Sequence, residues 1–131
     1  MLWTWGDVAA PAEVAWNLLV DVERWPEWGP SVRSARLLSE RFGDGTRGLV
    51  TTALGFDLPF EVTSFEPGRS WSWSVAGVPA TGHRVESTGE DACRVGLGVP
   101  AIALPYLVVC RVAIARIAEI APREPVRRPR R

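Results

Sequence analysis

The chain has 131 residues, with 15 basic and 15 acidic side chains, long enough for one domain with a true core. That balance argues against a general nucleic-acid binder, which carries a basic excess. Two cysteines, Cys93 and Cys110, in no CxxC spacing fit a reduced, cytoplasmic protein, and the first residues lack the pattern of a secretory signal.

Residues 2–8 read as a strand with Trp3 and Trp5 on one side. Pro11 then opens a helix, with Glu13 favourable in its first turn. Val14, Leu18 and Trp16 supply its apolar stripe, and Asp21 ends it or caps the next segment. Residues 23–28 form a short second helix ended by Gly29 and Pro30. Trp25 and Trp28 lie three apart, share a face and are expected to pin that helix. From there the punctuation changes to short runs divided by turn residues. Strands are expected over 32–38, 46–54 and 56–65, with Pro59 marking an edge or a late start. Ser70-Trp71-Ser72-Trp73-Ser74-Val75 alternates strictly, with both indoles and Val75 on one face. Gly77-Val78-Pro79 reads as a turn. A strand over 81–87 puts His83 and Val85 on one face, and a last strand over 93–99 aligns Cys93, Val95, Leu97 and Val99. Strands this closely spaced make an antiparallel meander.

Residues 104–121 carry apolar side chains at three- and four-residue steps, from Tyr106 and Leu107 through Cys110, Ala113, Ile114 and Ile117 to Ala121. That spacing is one helix face, with Arg116 and Glu119 opposite. Pro105 suits the first turn and Pro122 stops the helix. The apolar run 95–110 is interrupted by Gly96, Gly98, Pro100 and Pro105, so no stable membrane insertion is expected. Residues 122–131, rich in Arg and Pro, are expected to be a disordered tail beyond a single domain of 1–121.

The order strand, two short helices, six strands and a long helix resembles the helix-grip fold of the START / birch-pollen-allergen-like (SRPBCC) superfamily. The stretches that carry it are APAEVAWNLLVDVERWPEW, the GDGTRG turn at 43–48, EVTSFEPGRSWSWSVAG, GHRVE at 82–86 and the terminal helix. Within that superfamily the chain is similar to the polyketide cyclase/dehydrase-like group. The resemblance implies an α+β fold, a curved antiparallel sheet of six to seven strands wrapped around the long C-terminal helix. It also implies a hydrophobic cavity between sheet and helix, and no fixed catalytic set.

Residues expected to line that cavity are Trp71, Trp73, Val75, His83 and Val85 from the sheet, and Tyr106, Cys110 and Ile114 from the helix. Trp71 and Trp73 suit an aromatic wall for a flat ligand, and equally suit core packing against the terminal helix. An inward imidazole of near-neutral pKa can move a proton or orient a carbonyl. With no partner carboxylate to be found in the sequence, a neutral core imidazole held by its neighbours is the favoured reading for His83. His83, Cys93 and Cys110 match no zinc-ligand spacing, GDGTRG lacks the Lys and helix of a phosphate loop, and no metal or cofactor is expected. Three functions stay open. The first is a binder of a hydrophobic, aromatic or polyketide-like small molecule. The second is a polyketide aromatase/cyclase or dehydratase using His83 and Tyr106. The third is an interaction module whose cavity is filled by its own tryptophans.

Overall fold

A computed structural model describes residues 1–125. Its seven strands are β1 (Leu2–Val8), β2 (Val32–Leu37), β3 (Arg47–Thr52), β4 (Asp57–Glu66), β5 (Ser70–Val75), β6 (Val78–Gly89) and β7 (Ala92–Val99). They form one antiparallel sheet in the order β1-β7-β6-β5-β4-β3-β2, so the first strand closes against the last. Between β1 and β2 run α1 (Ala12–Val20), a single 3-10 turn (Val22–Arg24) and α2 (Trp25–Trp28). Asp21 does cap the second segment, accepting a hydrogen bond from Glu23 N at 3.1 Å. After β7 a 3-10 segment (Ala101–Tyr106) leads into α3 (Leu107–Ile120). This is the helix-grip architecture.

The β5–β6 turn differs from the sequence expectation. It is a two-residue hairpin, Ala76-Gly77, with φ of 52° and 78°, the left-handed pair that matches the twist of the flanking strands. Val78 and Pro79 therefore belong to β6, opposite Val75 and Ser74. Pro79 brings no ladder N–H, and the register shifts between Ser72 and Ser74, opposite Trp73.

Helix α3 lies on β1, β7 and α2 rather than across the centre of the sheet. Ala113, Ile114 and Ile117 are buried, and Arg116 and Glu119 are exposed, as the spacing requires. Trp71 and Trp73 face α3 across a small inner space lined also by Cys110 and Ala113. They meet Trp25 of α2, with ring centroids 5.5 and 5.2 Å away. Trp3 and Trp5 cover the opposite face of the sheet. They stack on each other at 6.0 Å, under the guanidinium groups of Arg84 and Arg94 at 4.6 and 4.1 Å. They fill space left by Gly96 and Gly98, where an added Cβ would lie 2.7 Å from an indole atom.

Pro122 does not end the ordered chain. A 3-10 turn covers Ala121–Arg123, and Glu124 pairs with Arg24. Of the segment expected to be a disordered tail, residues 122–125 are described, and residues 126–131, including Arg127, Arg128, Arg130 and Arg131, lie outside the described residues.

Ile117 is fully buried. Truncating it to Ala should cost ~2–4 kcal/mol in denaturant unfolding, the usual loss for a large-to-small core change. A cost below ~1 kcal/mol would contradict this packing of α3.

Candidate functional site

The interior of the grip is split in two. The deep part is an aromatic pile. Trp71 stacks on Trp25 with 9° between the planes and on His83 at 3.7 Å and 14°. Phe42 meets the edge of Trp71 at 4.9 Å, and Phe60 meets Trp73 at 5.3 Å. Two further bonds pin the short helix to α1, from Trp25 Nε1 to Leu19 O at 2.9 Å and from Trp28 Nε1 to Leu18 O at 2.8 Å. Only about 40 Å³ stays open here, beside Cys110 and Ala113 of α3. That is room for ordered water and not for an organic ligand.

The second space lies nearer the surface and holds about 490 Å³. Three elements shape it: the β3–β4 connection at Ala53 and Leu54, the β5–β6 hairpin from Val75 to Thr81, and the β7–α3 connection at Pro100 and Ala103. It sits at the N-terminal entrance to α3 rather than beneath it. Ser31, Val32, Trp73, Thr81 and Tyr106 line both spaces and form the wall between them. In that wall Ser31 Oγ and Tyr106 OH are hydrogen-bonded to each other.

His83 is held at both nitrogens. Nδ1 lies 3.2 Å from Trp71 O, which can only accept, so Nδ1 carries the proton. Nε2, 3.1 Å from Thr81 Oγ1, therefore accepts the threonine hydroxyl, and that hydroxyl in turn accepts from Trp73 Nε1 at 2.9 Å. Burial drives the His83 pKa down from 6.5 to about 3, because a buried imidazolium loses its hydration. Both nitrogens are committed and the ring is neutral, so His83 has no free position for moving a proton. It acts as the keystone of a Trp73–Thr81–His83–Trp71 chain. Of the two roles weighed from the sequence, this geometry fits the neutral core group held by its neighbours.

Among the other residues expected at the cavity, Trp71 and Cys110 line the inner space, Val75 the outer one, and Trp73 and Tyr106 both. Tyr106 is not on the buried helix face. It stands in the 3-10 segment at the mouth, partly exposed. Val85 and Ile114 line neither space. Val85 is a core residue of β6, the strand that α1 crosses. Ile114 points to β1, where its Cγ2 occupies the position a Cβ on Gly6 would take. Neighbouring residues on a helix point about 100° apart, so Ala113 faces the inner space while Ile114 faces the strand. Thr81 was within reach of the sequence, since it alternates with His83 and Val85. Ser31 was not, because a lone serine after Pro30 belongs to no period. Among the described residues no three His, Cys, Asp or Glu side chains form a metal-ligating cluster.

Among the described residues no charged side chain lines either space. The three titratable groups present are all biased to their neutral forms. Burial lowers His83, raises the Cys110 thiol to about 11, and raises Tyr106 against the opposing pull of its bond from Ser31. The chamber is neutral at pH 7 in every part. What it can do chemically is enclose apolar surface and offer hydroxyls to an oxygen atom.

Comparison with known proteins agrees with this geometry. Residues 6–103 match the family model described as polyketide cyclase / dehydrase and lipid transport. The chain belongs to that family. Its relatives in the polyketide cyclase / dehydrase family include a candidate polyketide cyclase of Streptomyces halstedii, 33% identical over 86 residues, which span 61% of this chain and 69% of the relative. The fold is shared with a START superfamily protein from Mycobacterium smegmatis (TM-score 0.69, 16% identity, 93% of this chain and 97% of that one). It is shared also with the Zhui aromatase/cyclase from Streptomyces sp. R1128 (TM-score 0.70, 14% identity, 93% of each chain). At such identities these two family structures speak for the fold alone.

The His83 geometry predicts a pH dependence. Above pH 6.5 the imidazole is neutral in both folded and unfolded chains and contributes no slope. Below 6.5 the unfolded chain takes up a proton that the native chain refuses until about pH 3. Stability should therefore fall with falling pH across that window, by up to ~1.4 kcal/mol per pH unit from this group. Urea midpoints measured from pH 7 to 4 for the natural chain and His83→Gln should converge as pH falls. Parallel curves would contradict a buried neutral His83.

Proposed function

We propose that the protein binds a neutral, largely apolar small molecule, aromatic or polyketide-like, in the outer chamber. The observation that carries this reading is the 490 Å³ space without one charged lining residue, ending at the paired hydroxyls of Ser31 and Tyr106. Its size falls in the usual range of ligand pockets. Trp73 and Val75 supply a flat apolar wall, and a carbonyl or phenol oxygen of the ligand meets the hydroxyl pair. Burying about 300 Å² of ligand surface supplies at most ~7 kcal/mol before association costs, so micromolar affinity needs the polar contact to the hydroxyl pair as well, and nanomolar affinity is not expected. A charged ligand would lose its hydration with no partner to replace it.

A cyclase or dehydratase activity is the second reading, favoured by the position of Tyr106. Its hydroxyl lies in the chamber wall, where it could meet a carbonyl of a bound ketide chain, and the shaped chamber would supply orientation. With His83 committed, proton transfer would fall to Tyr106. Tyr106→Phe would then abolish turnover while ligand binding persists. The third reading, a grip filled by its own tryptophans, describes the deep half only.

A neutral, environment-sensitive naphthyl ketone should bind at micromolar concentration with a blue-shifted emission. Val75→Trp, which fills the chamber, should weaken binding at least about tenfold by displacing the ligand volume, with the circular dichroism spectrum unchanged. A naphthalene sulfonate of the same size should bind more weakly than the ketone. Equal affinity of the two probes, or no effect of the filling substitution, would overturn the assignment.

A further inference from the structure

The mouth of the outer chamber is bordered by residues 51–56, 75–82 and 99–108. None of these carries a charged side chain, in a chain that is 23% charged. Six of the large apolar side chains there stand out in solvent. Leu54 is 85% exposed and Ile102 93% exposed, and Phe56, Val78, Leu104 and Val108 are exposed as well. These six are more than half of the eleven large apolar side chains that stand exposed among the described residues. Each lies at, or within two positions of, a residue lining the chamber. Scattered exposed apolar residues need no explanation, but a ring of them around one opening does.

We propose that this ring docks reversibly on the surface of an anionic lipid bilayer, with the chamber mouth facing the membrane. Shape and charge favour this occupant over a second copy of the chain. The apolar side chains project from separate tips around a hole, whereas a stable protein interface needs about 800 Å² per partner of continuous, closely matched surface. Arg33, beside Gly55 at the β3–β4 connection, and Arg111, one turn into α3, flank the ring. Both are exposed, and neither forms an ion pair with a carboxylate among the described residues. Apolar tips that enter the acyl boundary, flanked by guanidinium groups at headgroup level, match what an anionic interface binds. The helical run 101–123 is long and apolar enough by composition to cross a bilayer. In this fold, however, Ala113, Ile114 and Ile117 are committed to the protein core, so docking stays peripheral. The inference deepens the binding reading and rests on it. A ligand drawn from the bilayer would enter the chamber without crossing water.

The test is co-sedimentation of the full chain with vesicles of phosphatidylcholine and phosphatidylglycerol, and with phosphatidylcholine alone. The natural chain should bind the anionic vesicles more tightly. Ile102→Glu and Leu54→Glu should each weaken binding about tenfold or more by removing an inserted apolar group and adding a repelled charge. Leu38→Glu, an exposed site outside the ring, should not. Binding of the naphthyl ketone in solution should be unchanged by Ile102→Glu, so a failure of the membrane proposal and a failure of the chamber reading give different results. No vesicle binding, equal loss with Leu38→Glu, or a dimer in light scattering that Ile102→Glu dissociates while vesicle binding is absent, would each overturn the proposal.

Discussion

Trp71 lies flat against Trp25 on one helix and against His83 on the neighbouring strand, and most of the interior is arranged around that contact. The stack joins α2 to the middle of the sheet. Its polar edges are tied by the chain from Trp73 Nε1 through Thr81 and His83 to Trp71 O. One donor is left over: Trp71 Nε1 is buried without a partner, a cost of about 1–3 kcal/mol. Burying an indole of ~200 Å² contributes about 5 kcal/mol. The apolar term exceeds the polar penalty, so the pile is stable with that donor unmet.

The pile also decides where function can lie. It leaves only water-sized space beneath α3 and confines any organic ligand to the entrance, where strand hairpins and the start of α3 meet. The same low-polarity interior sets the protonation states. His83 is kept neutral from below, and Cys110 and Tyr106 from above. A site that suppresses charge in its own groups selects for uncharged partners. The family model that the chain matches is described as polyketide cyclase / dehydrase and lipid transport.

Much of this was legible in the residues. The Ser–Trp alternation at 70–75, the helical spacing from Cys110 to Ile117 and the closely spaced turns determine the sheet, the helix and their inward faces. Periodicity gives a face, however, and not a neighbour. It placed Val85 and Ile114 inward correctly. It could not tell that one lies beneath α1 and the other against Gly6, because that depends on how the sheet curls and where the helix axis falls. It gave equal weight to Trp71 as ligand wall and as core, and the choice turned on Trp25, more than forty positions away. Ser31, in an irregular connection, had no pattern to reveal it.

The central claim is that a ligand occupies the outer chamber while the tryptophan pile stays closed. The seven tryptophans give separate indole N–H signals in a proton–nitrogen correlation spectrum, which can be followed as a neutral naphthyl ketone is added. The Trp73 signal should shift, because that indole lines the chamber, and the Trp25 and Trp71 signals should hold their positions. Large shifts at Trp25 and Trp71 with Trp73 unmoved would show that the ligand opens the deep interior instead, and would contradict the account.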